Sequence, residues 1–167
     1  MTDETENKEE AVKVSYSEFQ SVQSFCLLYC LSLGVYTFFW FYKHWRYLKD
    51  EKEMDIQPGF RVLFIPFTGY SLFSIFQDLA KEHGYKNRFP MGLFFWLFLI
   101  GSLTVYLHVS FLIISFFSFL FLIPPLKMLN FYYLKDQPNL EVRDGLAKDE
   151  KIFLIVVWVI FLLILFG

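Results

Sequence analysis

The sequence predicts an all-α membrane protein with four transmembrane helices plus a re-entrant or interfacial amphipathic helix pair. Three observations predict it. Of the 167 residues, 56% are hydrophobic and 22% aromatic, only 19% are charged, and mean hydropathy is +0.42. A soluble domain of this size has too little interior to hide that much apolar surface. Charge-free stretches of bilayer length recur along the chain, and Lys and Arg gather in two connections between them. Disorder is excluded by the hydropathy, a disulfide framework by the presence of two Cys, and a basic nucleic-acid binder by a formal charge of −2. Membrane lipids are the expected surroundings, with no nucleic acid.

Residues 1–23 are polar and acidic, with Asp3, Glu4, Glu6, Glu9, Glu10 and Glu18 against Lys8 and Lys13, and read as a flexible tail. No basic segment leads into a short apolar core with a small-residue cleavage site, so a signal peptide is not expected. From Ser24 to Tyr42 there are 19 residues without a charge, about 28 Å as a helix against a bilayer core of about 30 Å. The stretch ends in Trp40, Phe41 and Tyr42 and then meets Lys43, His44, Trp45 and Arg46, the order an interface favours. It is the first expected span, 24–42.

Asp55 to Gly59 is a turn signal. Residues 60–83 follow, with Arg61 at the start and only 16 uncharged residues from Val62 to Gln77, interrupted by Pro66 and Gly69. Their second half is amphipathic: Leu72, Phe73, Ile75, Phe76, Leu79 and Ala80 fall on one side. Gly84 stands where a helix C-cap belongs. The element is too short to span and reads as re-entrant or interfacial. Phe89 to Leu126 has only His108 titratable over 38 residues, too long for one crossing, so two spans are expected, 89–106 and 109–126, with a turn at Tyr106 to Ser110. Pro124 and Pro125 kink or end the second. After a polar connection, 127–151, with a short amphipathic start (Leu126, Leu129, Tyr133), the last span is 150–167. The spans and the re-entrant element form one domain, 24–167.

Of the 15 Lys and Arg, two precede the first span, eight lie between residues 43 and 88, and five between 127 and 151. With four spans and a non-crossing 60–83, both basic connections share the cytoplasmic side and both termini lie outside, 13 cations against two.

Candidate chemistry is sparse. Cys26 and Cys30 share a helix face but lack further ligands, and His44, His83 and His108 stand apart, so neither a metal nor a cofactor is expected. The charge-free lengths of the four spans, the last of them Ile152 to Gly167, hold no Asp, Glu, Lys or Arg, which weighs against a proton relay. Trp40, Tyr42, Lys43, Trp45 and Arg46 are candidate contacts for lipid headgroups or a partner, the alternative being simple anchoring. Arg61, Pro66 and Gly69 mark a candidate cavity or re-entrant break.

The run Leu33-Gly34-Val35-Tyr36-Thr37-Phe38-Phe39-Trp40-Phe41-Tyr42-Lys43-His44-Trp45-Arg46 resembles small bacterial multi-pass membrane proteins of unknown function, whose signature is Gly-(Ile/Val)-Tyr-x-x-x-Trp-Phe-Tyr-(Lys/Arg)-x-Trp. Pro58-Gly59-Phe60-Arg61 with Phe64 and Pro66, Tyr70-Ser71-Leu72-Phe73, and Leu122-Ile123-Pro124-Pro125-Leu126-Lys127-Met128 are similar to the same group. The resemblance implies a bacterial cytoplasmic (inner) membrane and carries over no functional residue.

The expected role is therefore non-enzymatic: association, as an accessory subunit or a homo-oligomer, with Ser32, Gly34, Gly101 and Ser102 as close-packing points. The alternative is a small channel or carrier for a neutral or small solute using the 60–83 break. A lipid-acting enzyme would need Arg61, His44, Asp78, Glu82 and His83 to converge.

Overall fold

Apolar helix formers, punctuated by Pro and Gly, give a chain that is helical throughout with no strand among the described residues. A computed structural model describes residues 17–86, 90–142 and 145–167. The expected tail over residues 1–16 and the first residue of the expected span 89–106 lie outside the described residues. The helices are α1 (Val22–Leu31), α2 (Tyr36–Glu51), α3 (Pro58–Leu63), α4 (Ile65–Glu82), α5 (Met91–Leu103), α6 (Leu112–Phe117), α7 (Ile123–Asp136) and α8 (Lys148–Phe166).

The charge-free stretch 24–42 is not one helix. Leu33 (φ 51°) and Gly34 (φ 89°) take the left-handed conformation, the Gly34 N–H bonds the Tyr29 carbonyl at 2.9 Å, and the chain doubles back. A left-handed C′ glycine ends a helix because it lets the following N–H groups satisfy the last carbonyls. Phe25 then faces both Tyr36 and Trp40, with ring centroids 6.1 and 5.4 Å apart.

Contacts along α2 set the directions of its neighbours. Trp40 and Phe41 meet Phe73, and His44 meets Phe76, so α4 runs parallel to α2. His44 meets Tyr133, while Tyr47 meets Asp136, so α7 does too. Lys43 meets Glu150 and Phe39 meets Phe153, so α8 runs antiparallel.

In the 60–83 element the break falls at Phe64, between α3 and α4, rather than at Pro66 or Gly69. Pro66 lies in the first turn of α4, where a missing N–H is harmless. The amphipathic face is as the periodicity reads: Leu72, Phe73, Phe76 and Ala80 are buried, Ile75 and Leu79 pack against the core, and Gly84 (φ 87°) follows the helix end. Gly69 is buried beside α5. A Cβ there would lie 2.8 Å from Phe95 Cζ and 3.1 Å from Phe41 Cε1.

From Pro90 the chain descends α5, turns at Leu107 and His108, inside the expected turn, and returns through two short 3-10 segments, α6 and α7. Pro124 and Pro125 neither end this run nor leave a polar loop behind. They open α7 in its first turn, and Leu126, Leu129 and Tyr133 are buried along it. Val109–Asp136 is a 28-residue run long and apolar enough to cross a membrane. Among the described residues it alone meets that test; α1 and α5 are shorter apolar helices, and α8 begins with Lys148, Asp149, Glu150 and Lys151. Four transmembrane helices are thus not supported by helix length, whereas the all-helical class is.

Small residues close the contacts inside the chain. Gly101 abuts Ser118, where an added Cβ would lie 2.9 Å from Ser118 Cβ; Ser102 Oγ and Ser118 Oγ are 2.9 Å apart. Ser32 bonds Tyr29 O and accepts from Tyr36 N, and Gly34 sits over the Tyr29 ring. These four residues, expected to pack between chains, pack within one.

The Gly69 contact yields a direct expectation. Gly69→Val forces Phe95 aside and destabilises the fold by about 1–3 kcal/mol, read as a lower unfolding midpoint in detergent; adding Phe95→Leu recovers part of the loss.

Candidate functional site

The charged groups converge on the end of the molecule where the segment before α1, the middle of α2, the end of α7 and the start of α8 meet. Glu150 lies in the first turn of α8, where a carboxylate is favoured by the free N–H groups and the helix dipole. It is 3% exposed. Its Oε2 accepts from Ala147 N (2.9 Å); its Oε1 accepts from Gln20 Nε2 (3.0 Å), Tyr36 Oη (3.0 Å) and Lys43 Nζ (3.4 Å). Gln20 Nε2 also bonds Tyr36 Oη at 2.5 Å. Lys43 lies 3.5 Å from Glu18 and 3.9 Å from Asp149. Burial opposes the Lys43 charge, but the carboxylates of Glu18, Glu150 and Asp149 outweigh it and hold its pKa above the ordinary value.

A second group sits one to two turns further along α2. Tyr47 donates to Asp136, Lys52 pairs with Asp136 at 2.8 Å, and the Lys52 ammonium stands 5.6 Å from the centroid of the Tyr132 ring. Between these groups opens a cleft of about 610 Å³ whose lining includes Glu18, Asp50, Glu51, Asp136 and Asp149 against Lys43 and Arg46. Five carboxylates against two cations make it an acidic recess. Ser17 and Glu18 close one side by bonding Gln137 and Glu141.

That closure corrects the expected topology. A crossing helix over 24–42 would place Glu18 and Lys43 on opposite faces of a bilayer, yet they form an ion pair. The segment before α1, the start of α8 and the basic connection after α2 share one end.

The expected contact residues are divided by the same packing. Trp40 and Trp45 are 1% and 0% exposed, so they belong to the core rather than to a headgroup belt. Lys43 is engaged by three carboxylates. Tyr42 is exposed, and Arg46 is exposed and pairs with Asp50 at 3.2 Å. The Arg61 guanidinium lies 4.3 Å from the Trp45 ring centroid, Pro66 starts a helix and Gly69 is covered by Phe95. None of these three lines the cleft.

The groups an interfacial enzyme would need have separate partners: His44 Nδ1 lies 2.8 Å from Tyr133 Oη, Asp78 pairs with Lys81, and His83 bonds Leu79 O. Among the described residues no group of three His, Cys, Asp or Glu could hold a metal ion.

Gln20, Tyr36, Asn130 and Glu150 were not singled out by the sequence reading. Gln20 and Asn130 exchange two bonds, N to Oδ1 at 3.1 Å and Nδ2 to O at 2.7 Å. A lone amide at the edge of an apolar run was the only available signal.

His44 is buried, with Nε2 lacking a hydrogen-bond partner, as do Trp40 Nε1 and Trp45 Nε1. Burial, and then the Lys43 charge, lower its pKa from 6.5 to about 3.

Two outcomes follow from this chemistry. Glu150→Ala strands buried donors and an ammonium and destabilises the fold by about 3–5 kcal/mol, with a smaller penalty when Lys43→Met is added, measured by thermal melts of both variants. Because folded His44 stays neutral where the unfolded chain would protonate it, stability is full above pH 6.5 and falls as pH drops towards 3, by at most about 1.4 kcal/mol per pH unit. His44→Asn flattens that slope above about pH 5.5, where ordinary carboxylates have not yet begun to protonate.

No protein-family model, curated protein or solved structure matches the chain.

Proposed function

We propose that the chain is a non-enzymatic, multi-pass membrane protein that works by association, with its acidic cleft as the docking end. One observation carries the reading: its exposed large apolar side chains crowd onto segments that hold no charge. Leu93, Trp96 and Ile100 on α5, Leu107 to Ile114 around the turn, and Ile155, Val156, Trp158 to Ile160 and Leu162 to Phe166 on α8 are exposed. A patch of that extent on a water-soluble monomer would be far outside the usual range. In a bilayer it is the expected surface, and α5, Val109–Asp136 and α8 become the crossing elements.

The ion pair between Glu18 and Lys43 supports one further step. With the segment from Ser17 to α1 on the same side as both basic connections, the 11 Lys and Arg among the described residues fall on that side, and no described cation stands against them as an orientation signal. That side is cytoplasmic, the membrane is a bacterial inner membrane as the resemblance implies, and the end of α8 lies opposite. The partner is the exposed basic stretch of another membrane protein, because five carboxylates and two cations in the cleft favour positive charge.

The chain should stay with the membrane through alkaline carbonate extraction. Native mass measurement in mild detergent should find an assembly heavier than the 20.0 kDa protomer, and Asp50→Lys with Glu51→Lys at the cleft rim should dissolve it without moving the melting temperature. A lone protomer in both samples overturns the association reading.

A further inference from the structure

The α1–α2 hairpin has a geometry that neither a crossing helix nor a surface helix shares. Helix α1 has ten residues, about 15 Å of rise, half of a bilayer core of about 30 Å. It lies along Val109–Asp136, the run long enough to cross, and that run serves as a depth gauge. At the base Gln20 is bonded to Asn130. Near the tip Tyr29 packs on Phe116 and Phe119, with ring centroids 6.0 and 4.4 Å apart. From Asn130 to Phe116 is about 21 Å of helix, and about 10 Å more remains from Phe116 to the start of the run at Val109. The hairpin therefore stops well short of the far turn.

The turn itself is built for a place without water. The N–H groups of Ser32, Leu33, Gly34, Val35, Thr37 and Phe38 bond Leu28 O, Cys30 O, Tyr29 O, Ser32 O, Gly34 O and Val35 O. The Tyr36 N–H bonds Ser32 Oγ at 2.9 Å. Every N–H from Ser32 to Phe38 thus has a partner inside the turn, as irregular backbone at membrane depth requires. The side chains on the outside of that turn are Leu31, Leu33, Val35 and Phe38, all exposed. No charged residue lies between Glu18 and Lys43, and those two are paired at the base.

We propose that α1–α2 is a re-entrant wedge. Its tip, Leu31 to Val35, seats among the acyl chains about the middle of the bilayer, and it does not reach the opposite face. This rests on the membrane reading above and adds a leaflet to it: the chain displaces more lipid from the cytoplasmic leaflet than from the other.

The chain's own cysteines report the depth, because both lie on α1 and Cys30 is exposed. In sealed vesicles of known orientation, a membrane-impermeant maleimide should fail to label Cys30 from either side and succeed once detergent is added. In a Cys26→Ala, Cys30→Ala background, Phe19→Cys and Asp55→Cys should both label from the same side, and Ile160→Cys on α8 from neither. Labelling of Phe19→Cys and Asp55→Cys from opposite sides would make α1–α2 a full crossing and overturn the wedge. Labelling of Cys30 in intact vesicles, with Ile160→Cys still protected, would place the hairpin on the surface and overturn it too. Labelling of Ile160→Cys from the aqueous phase would instead sink the membrane reading.

Discussion

A single carboxylate joins three parts of the chain that are far apart in sequence. Glu150 accepts hydrogen bonds from Gln20, Tyr36, Lys43 and its own Ala147, so the entry to α1, the return arm α2 and the foot of α8 share one buried anion. A buried charge is tolerable only when its partners are in place together. That requirement fixes the order of assembly in space: α1 must fold back, because only then can Gln20 and Tyr36 reach the same oxygen. The half-depth hairpin and the unpaired length of α8 are both consequences.

The second organising element is aromatic. Tyr36, Trp40, Phe41, His44, Trp45 and Leu48 form a buried stripe on α2; its rings meet Phe25, Phe73 and Phe76 edge-on or tilted, and His44 stacks on Tyr133. Such contacts have geometry as well as area, which suits a helix that must register three neighbours at once. The cost is visible in three buried ring nitrogens without partners, and in a histidine held neutral among apolar walls.

How much of this the sequence discloses depends on what each pattern distinguishes. The face of α4 was legible because Leu72, Phe73, Phe76 and Ala80 recur at helical spacing beside polar residues, and Gly84 announced the end. The break at Leu33–Gly34 was not, since an apolar charge-free stretch reads the same whether it crosses or returns. Trp40 to Arg46 misled for a related reason: aromatic rings beside cations suit a headgroup region and a core bordered by an ion network equally well. The spacing of Tyr36, Trp40, His44 and Leu48 held the answer, but the local composition drew attention away from it. Glu150 was hidden by position, at the boundary where an expected span began.

Helix α8 shows what a single secured end implies. Glu150, Phe153 and Val157 hold its lower turns to the body, while Leu162 to Phe166 are exposed. The distal half is thus a mast on a fixed foot: it can tilt to suit a thicker or thinner membrane, or exchange one neighbour for another, without any rearrangement being transmitted to the aromatic core.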